Sequence, residues 1–141
     1  MDALTPITVA IARFEDLLAL GLRALLTDDP NVAIVADDIA YDRIPVVLQA
    51  HDPDVLILDA GALDDLASVR TLSVDHPRTR LVLLGQDQST AECAQLLAFG
   101  ASACLGKDTQ ARDVRNAIHL AARGLQAVSY THLTLPTTPY V

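Results

Sequence analysis

Two side chains of this sequence sit where a carboxylate and an ammonium can converge on one small anion. The apolar run Val55-Leu56-Ile57-Leu58 ends in Asp59, and the shorter run Ala103-Cys104-Leu105-Gly106 ends in Lys107. Lys107 is the sole lysine of the chain; every other basic residue at neutral pH is an arginine. Continuous apolar runs of this length are the signature of strands buried on both faces of a parallel sheet. Ligands of such sheets bind beyond the carboxyl ends of the strands, the edge that Asp59 and Lys107 share.

The rest of the sequence supplies the elements that must position the pair. Residues 7–12 read as a strand, rich in β-branched and apolar types. Residues 15–27 read as a helix with Leu18, Leu22, Leu25 and Leu26 on one face. Asp28-Asp29-Pro30-Asn31 is a turn, and residues 32–36 form a second strand. A weaker helix spans 42–50, with Pro45 tolerable only in its first turn. The third strand, 55–58, follows the break at Asp52-Pro53, and a helix over 63–74 ends before His76-Pro77. Residues 81–84 form a fourth buried strand. Ser89 and Glu92 have capping-box spacing for a helix that Gly100 closes. Residues 102–105 are the fifth strand. Thr109 is the expected cap of a last helix, with Val114, Ala117, Ile118 and Ala121 inward and Gly124 at its end. Five strands alternating with five helices through short connections imply right-handed crossovers and a parallel sheet covered on both faces.

Composition narrows the function. The chain has 141 residues, one domain's worth, and is 51% hydrophobic, enough for a packed core. Its net charge of -8 argues against direct binding to nucleic-acid backbones. Cys93 and Cys104 lack metal-ligand spacing and read as buried, reduced thiols; His51, His76, His119 and His132 are scattered without zinc spacing. Asp37-Asp38 and Asp64-Asp65 read as solvated loop acids. The amino terminus lacks signal-peptide character and no apolar stretch is long enough to span a bilayer, so a cytoplasmic protein without membrane contact is expected.

Four segments carry a resemblance: Gly21-Leu22-Arg23-Ala24-Leu25-Leu26, Pro53 through Asp59, Phe99-Gly100-Ala101-Ser102 and Gly106-Lys107-Asp108. In this order they resemble the receiver domain of bacterial response regulators, in particular those with a LuxR-type helix-turn-helix after the receiver (the LuxR/NarL type). The resemblance covers residues 7–124, with 1–6 as an amino-terminal extension. It implies an α/β, flavodoxin-like (CheY-like) doubly wound five-stranded parallel sheet of order 2-1-3-4-5. It also implies that Asp59 is the position that accepts a phosphoryl group from a histidine kinase and that Lys107 contacts the phosphoryl oxygens.

The remaining parts implied by the resemblance are absent. The acid pair that would hold Mg²⁺ falls on Arg13 and Phe14, the switch hydroxyl on Gly85 and the switch aromatic on Cys104. A unit positive charge on Arg13 at ~4 Å repels each charge of a metal ion by roughly 4 kcal/mol at an effective dielectric of ~20. Glu15-Asp16, slipped by two positions, is an alternative acid pair that the spacing to Gly21-Leu22-Arg23 opposes. The expectation is a degenerate receiver without cofactor, its Mg²⁺ binding lost, not phosphorylated by the usual route and not an enzyme. Arg13 then either pairs with Asp59 as a fixed substitute for the metal, or is a solvated side chain beside a relic.

The expected partners are a histidine kinase or another signalling protein and a second copy through the fourth and fifth helices. Arg112, Arg115 and Arg123 lie on that last helix or at its end. DNA would be reached only through a missing carboxyl-terminal domain, since the chain reads as the truncated amino-terminal half of a transcription regulator. Residues 125–141 read as a non-native or disordered tail, because Val128-Ser129-Tyr130-Thr131-His132-Leu133-Thr134-Leu135-Pro136-Thr137 resembles a translated sequencing-library adapter. Two other functions stay open: a stand-alone protein-interaction module and a small-ligand-binding flavodoxin-like domain. The latter lacks a glycine-rich phosphate loop.

Overall fold

The computed structural model describes residues 5–125 and 127–128. Its elements alternate: β1 (Ile7–Ala12), α1 (Asp16–Thr27), β2 (Val32–Ile39), α2 (Ile44–His51), β3 (Val55–Asp59), α3 (Leu66–Asp75), β4 (Arg80–Gly85), α4 (Thr90–Ala98), β5 (Ala103–Gly106), α5 (Ala111–Ala122) and β6 (Ala127–Val128). The strands are parallel in the order β2-β1-β3-β4-β5-β6. The five-stranded order 2-1-3-4-5 is the expected one. The two-residue β6 adds a strand by pairing Ala127 with Ala103 and Val128 with Cys104, which occupies edge groups of β5 that would otherwise be unpaired. Residues 1–4, 126 and 129–141, with most of the adapter-like string, lie outside the described residues.

Strand alternation sorts the core into two layers. Val9, Ile11, Val55, Ile57, Val82, Leu84 and Leu105 face Leu22 and Leu26 of α1 and Val114, Ala117, Ile118 and Ala121 of α5. Ala10, Leu56, Leu58, Leu81, Leu83 and Cys104 face Ile44 and Leu48 of α2, Val69 of α3 and Cys93 and Leu96 of α4. Burying one such aliphatic side chain stabilises by about 1.5–3 kcal/mol, so the two layers together fix the strand register. On the α1–α5 side, the His119 ring nitrogen lies 2.8 Å from buried Asp29 in the α1–β2 turn. Burial pushes the Asp29 carboxyl up, but the hydrogen bonds from His119 and the Asn31 N–H outweigh it and hold it below the usual aspartate value.

Local signals explain most boundaries. Pro45 stands in the first turn of α2, where its missing N–H costs nothing. The capping box of α4 is formed, with Ser89 Oγ accepting from the Glu92 N–H and Glu92 Oε1 from the Ser89 N–H. Gly100 follows α4 at φ +120, where a Cβ would collide with Ser73. Thr109 does not cap α5. Its N–H closes a turn onto the Gly106 carbonyl, which leaves its hydroxyl buried and unpartnered within the protein and makes Gln110 the N-cap.

Candidate functional site

Asp59 closes β3 and Lys107 follows β5, with β4 between them. Asp59 is level with Leu84, and Gly85 with Gly106, so both side chains project from one edge of the sheet. Lys107 Nζ donates to Asp59 Oδ1 at 3.1 Å. The same oxygen accepts from the Gly61 N–H at 3.0 Å, which holds the carboxylate over its own strand end. Both side chains are mostly buried, 13% exposed for Asp59 and 17% for Lys107.

Two further residues complete the site: Glu15, which the sequence offered only as half of a slipped acid pair, and Tyr41, which the linear pattern did not mark. Glu15, the residue before α1, accepts from Lys107 Nζ through both carboxylate oxygens, at 3.1 and 3.2 Å. Tyr41 lies in a single 3-10 turn after β2, and its hydroxyl accepts the Asp59 N–H at 2.7 Å. Burial pushes the Tyr41 hydroxyl up to about 12; the Asp59 N–H opposes this and the Asp59 carboxylate adds to it. Burial works against the charge of Lys107, but hydrogen bonds to Asp59 and Glu15 prevail and hold its pKa above the usual lysine value. A hydrogen bond from its own backbone, then the one from Lys107, lowers the Glu15 carboxyl. Both partners reach Asp59 and Lys107 from elements distant in sequence, so no local spacing announces these contacts.

Arg13 does not pair with Asp59. Its N–H continues the strand pairing by donating to the Ile39 carbonyl, which carries it toward β2, on the side of β1 away from β3. There its guanidinium meets Asp38 at 3.0 Å, with both side chains more than half exposed. Phe14 turns the other way, 6% exposed in the α1–α5 core layer, with its ring centroid 5.9 Å from Lys107 Nζ. Asp16, the second residue of the slipped acid pair, lines a separate recess with Arg23 and Asp37, so that pair is split by the start of the helix.

Gly85 is buried at the end of β4, and the Gln88 side chain occupies the space its Cβ would take. The reading of Cys93 and Cys104 as free thiols is corrected: they form a disulfide. They are 11 positions apart in sequence, yet packing of α4 on β5 brings their Cα atoms to 5.7 Å, within the usual span of such a bridge. An open groove of about 840 Å³ runs beside Lys107, lined among others by Glu15, Leu17, Leu18, Gln88, Thr90 and Cys93. The loop acids hold local structure: Asp65 caps α3 through the Ser68 N–H, and Asp37 pairs with Arg23. Among the described residues, no cluster of three His, Cys, Asp or Glu side chains is arranged to hold a metal ion.

Topology and the placement of Asp59 and Lys107 define a CheY-like, flavodoxin-like fold with an acid and a lysine at the carboxyl edge of its sheet. Its sequence relatives include response regulators. The chain is 28% identical to the nitrate/nitrite response regulator NarP of Escherichia coli K12, over 92% of this chain and 61% of NarP. It is 23% identical to NarL of the same organism, over 88% of this chain and 58% of NarL. The chain thus spans about three fifths of the length of these relatives. A two-component response regulator of the LuxR family from Aurantimonas sp. SI85-9A1 shares the fold, with a TM-score of 0.78 and 18% identity over 87% of this chain and 89% of that one. No family model matches the chain. None of its described helices is long and apolar enough to cross a membrane.

Proposed function

We propose that this chain is the receiver half of a LuxR-type transcription regulator whose phosphorylation site is filled by its own side chains. One observation carries this reading: the Lys107 ammonium spans Asp59 and Glu15, so the lysine is already engaged by two carboxylates, with one negative charge left over, where a phosphoryl group would enter. The residues present do not fit a divalent metal. The two positions that would supply hard oxygen ligands hold an outward guanidinium and a buried phenyl ring, and nearby Asp59 and Glu15 are engaged by Lys107. Without a metal, the charge of an incoming phosphoryl group would meet Glu15 with only Lys107 to offset it. The domain then works in the cytoplasm as a non-enzymatic module. Its input comes from contact with a kinase or another signalling protein, and DNA is met by a carboxyl-terminal segment of the kind its longer relatives have room for.

Acetyl phosphate with Mg²⁺, followed by intact mass, is the test. The expected spectrum shows no phosphoryl adduct on the wild-type protein. An adduct that disappears in Asp59→Asn would overturn the proposal.

A second reading, a stand-alone docking module, is favoured by Leu17, 85% exposed at the lip of the groove. Genomic sequence downstream separates the two. A frame that continues into a basic helical segment supports the regulator, and a stop near Gly124 supports the module.

A further inference from the structure

The disulfide lies within the candidate site. Cys104 stands three residues before Lys107 on β5, and Cys93 stands in the first half of α4, whose amino-terminal residues wall the groove. Helix α4 is nine residues long and buries only two side chains, Cys93 and Leu96. The cross-link is therefore one of a few anchors of this helix to the sheet, beside Leu96 and the partly buried Leu97. Both cysteines are buried, Cys93 at 5% and Cys104 at 1% exposed, and of the two only Cys93 lines the open groove.

We propose that Cys93 and Cys104 form a reversible thiol–disulfide site that fixes α4 to β5 and so sets the shape of the groove beside Lys107. A small-molecule thiolate enters the groove and attacks Cys93 Sγ, the reachable sulfur. The bond between the two cysteines breaks, and Cys104 leaves as a thiolate that takes a proton from water. A second small-molecule thiolate then attacks the outer sulfur of the mixed disulfide, releasing Cys93 and a small-molecule disulfide. Two thiols are oxidised and one protein disulfide is reduced; a small-molecule disulfide of the glutathione class drives the reverse. The resulting redox input stands whether or not Asp59 accepts a phosphoryl group, because none of its steps involves that side chain.

The test equilibrates the full chain in buffers of varied reduced-to-oxidised glutathione ratio, without denaturant. Alkylation is read by mass, and hydrogen exchange is read across α4. The oxidised protein is expected to resist alkylation. The reduced protein should take an alkyl group at Cys93 ahead of the enclosed Cys104, exchange faster over residues 90–98, and lose roughly 5–10 °C in Tm. Return to the oxidising buffer should restore all three readouts. A Cys93→Ser/Cys104→Ser variant should match the reduced protein in every buffer; if it does not fold, the wild-type series alone decides. Ready alkylation of both cysteines in the oxidising buffer would overturn the proposal. So would a bond that breaks only after unfolding, or reduction that leaves α4 exchange unchanged.

Discussion

β1 and β3 are neighbours that run through the same core and finish at the same edge, yet they end in opposite ways. β3 ends in Asp59, pinned by Gly61, Tyr41 and Lys107. After β1 come Arg13, turned to solvent, and Phe14, sunk into the α1–α5 layer. One strand end keeps a carboxylate and builds polar partners around it. The other has exchanged ionisable chemistry for packing. Lys107 joins the two, since its ammonium pairs with Asp59 while its charge lies over the Phe14 ring, a favourable cation–π placement. What happens at the end of β1 therefore decides what Lys107 at the end of β5 is free to bind.

The strongest way to break this comparison is to remove the packing that distinguishes the β1 end. Phe14→Ala should lower unfolding stability by about 3 kcal/mol in urea titrations, through lost burial and a cavity. A loss below about 1 kcal/mol would mean that Phe14 is not an anchor. Next in size is Lys107→Met, which leaves the mostly buried Asp59 without its cation. The expected cost is about 2 kcal/mol, below the value for a fully buried pair because Glu15 is more than half exposed. The effect should shrink in high salt, as far as the exposed Glu15 arm contributes. A neutral substitution would show that the Asp59–Lys107 contact adds nothing to the fold.

Tyr41 sharpens the β3 half. Tyr41→Phe removes the acceptor of the Asp59 N–H and should cost about 1 kcal/mol. The difference has a pH signature. The folded state holds the phenol proton up to about 12 against an ordinary value of 10.0. Stability from this group is thus complete below 10.0 and declines as pH rises toward about 12. The gap between wild type and Tyr41→Phe should narrow across that window, in which Lys107 changes similarly in both proteins. A constant gap would place the hydroxyl in water.

These sensitivities follow what a linear sequence can and cannot show. β3 and β4 were legible because a strand buried on both faces must be apolar throughout, and α4 because its capping box is a four-residue signal. The positions of Asp59 and Lys107 followed from the strands that carry them. Glu15 was legible only as half of a slipped acid pair and Tyr41 not at all, since each reaches the site from an element whose placement depends on the finished sheet. The Cys93–Cys104 bond was missed for the same reason: spacing along the chain says nothing about α4 lying against β5. Thr109 misled because a cap residue type was present while the turn onto Gly106 directed its hydroxyl inward.

The smallest expected effect is the one that tests Arg13 itself. Were Arg13 the substitute for a metal, removing it would unpair Asp59 and destabilise the protein about as much as Lys107→Met. The structure instead gives it an exposed partner, with side chains 58% and 65% accessible for Arg13 and Asp38. Pairs of that kind contribute between nothing and about 1 kcal/mol, because solvent screens the attraction and two long side chains lose freedom. Arg13→Ala should therefore shift stability by less than about 0.5 kcal/mol, and Asp38→Ala by a similar amount, with their double variant close to the sum. A large loss in Arg13→Ala alone, matched by a changed response to Asp59→Asn, would show that the guanidinium reaches the β3 end in solution. The division between the two strand ends would then fail at its simplest point.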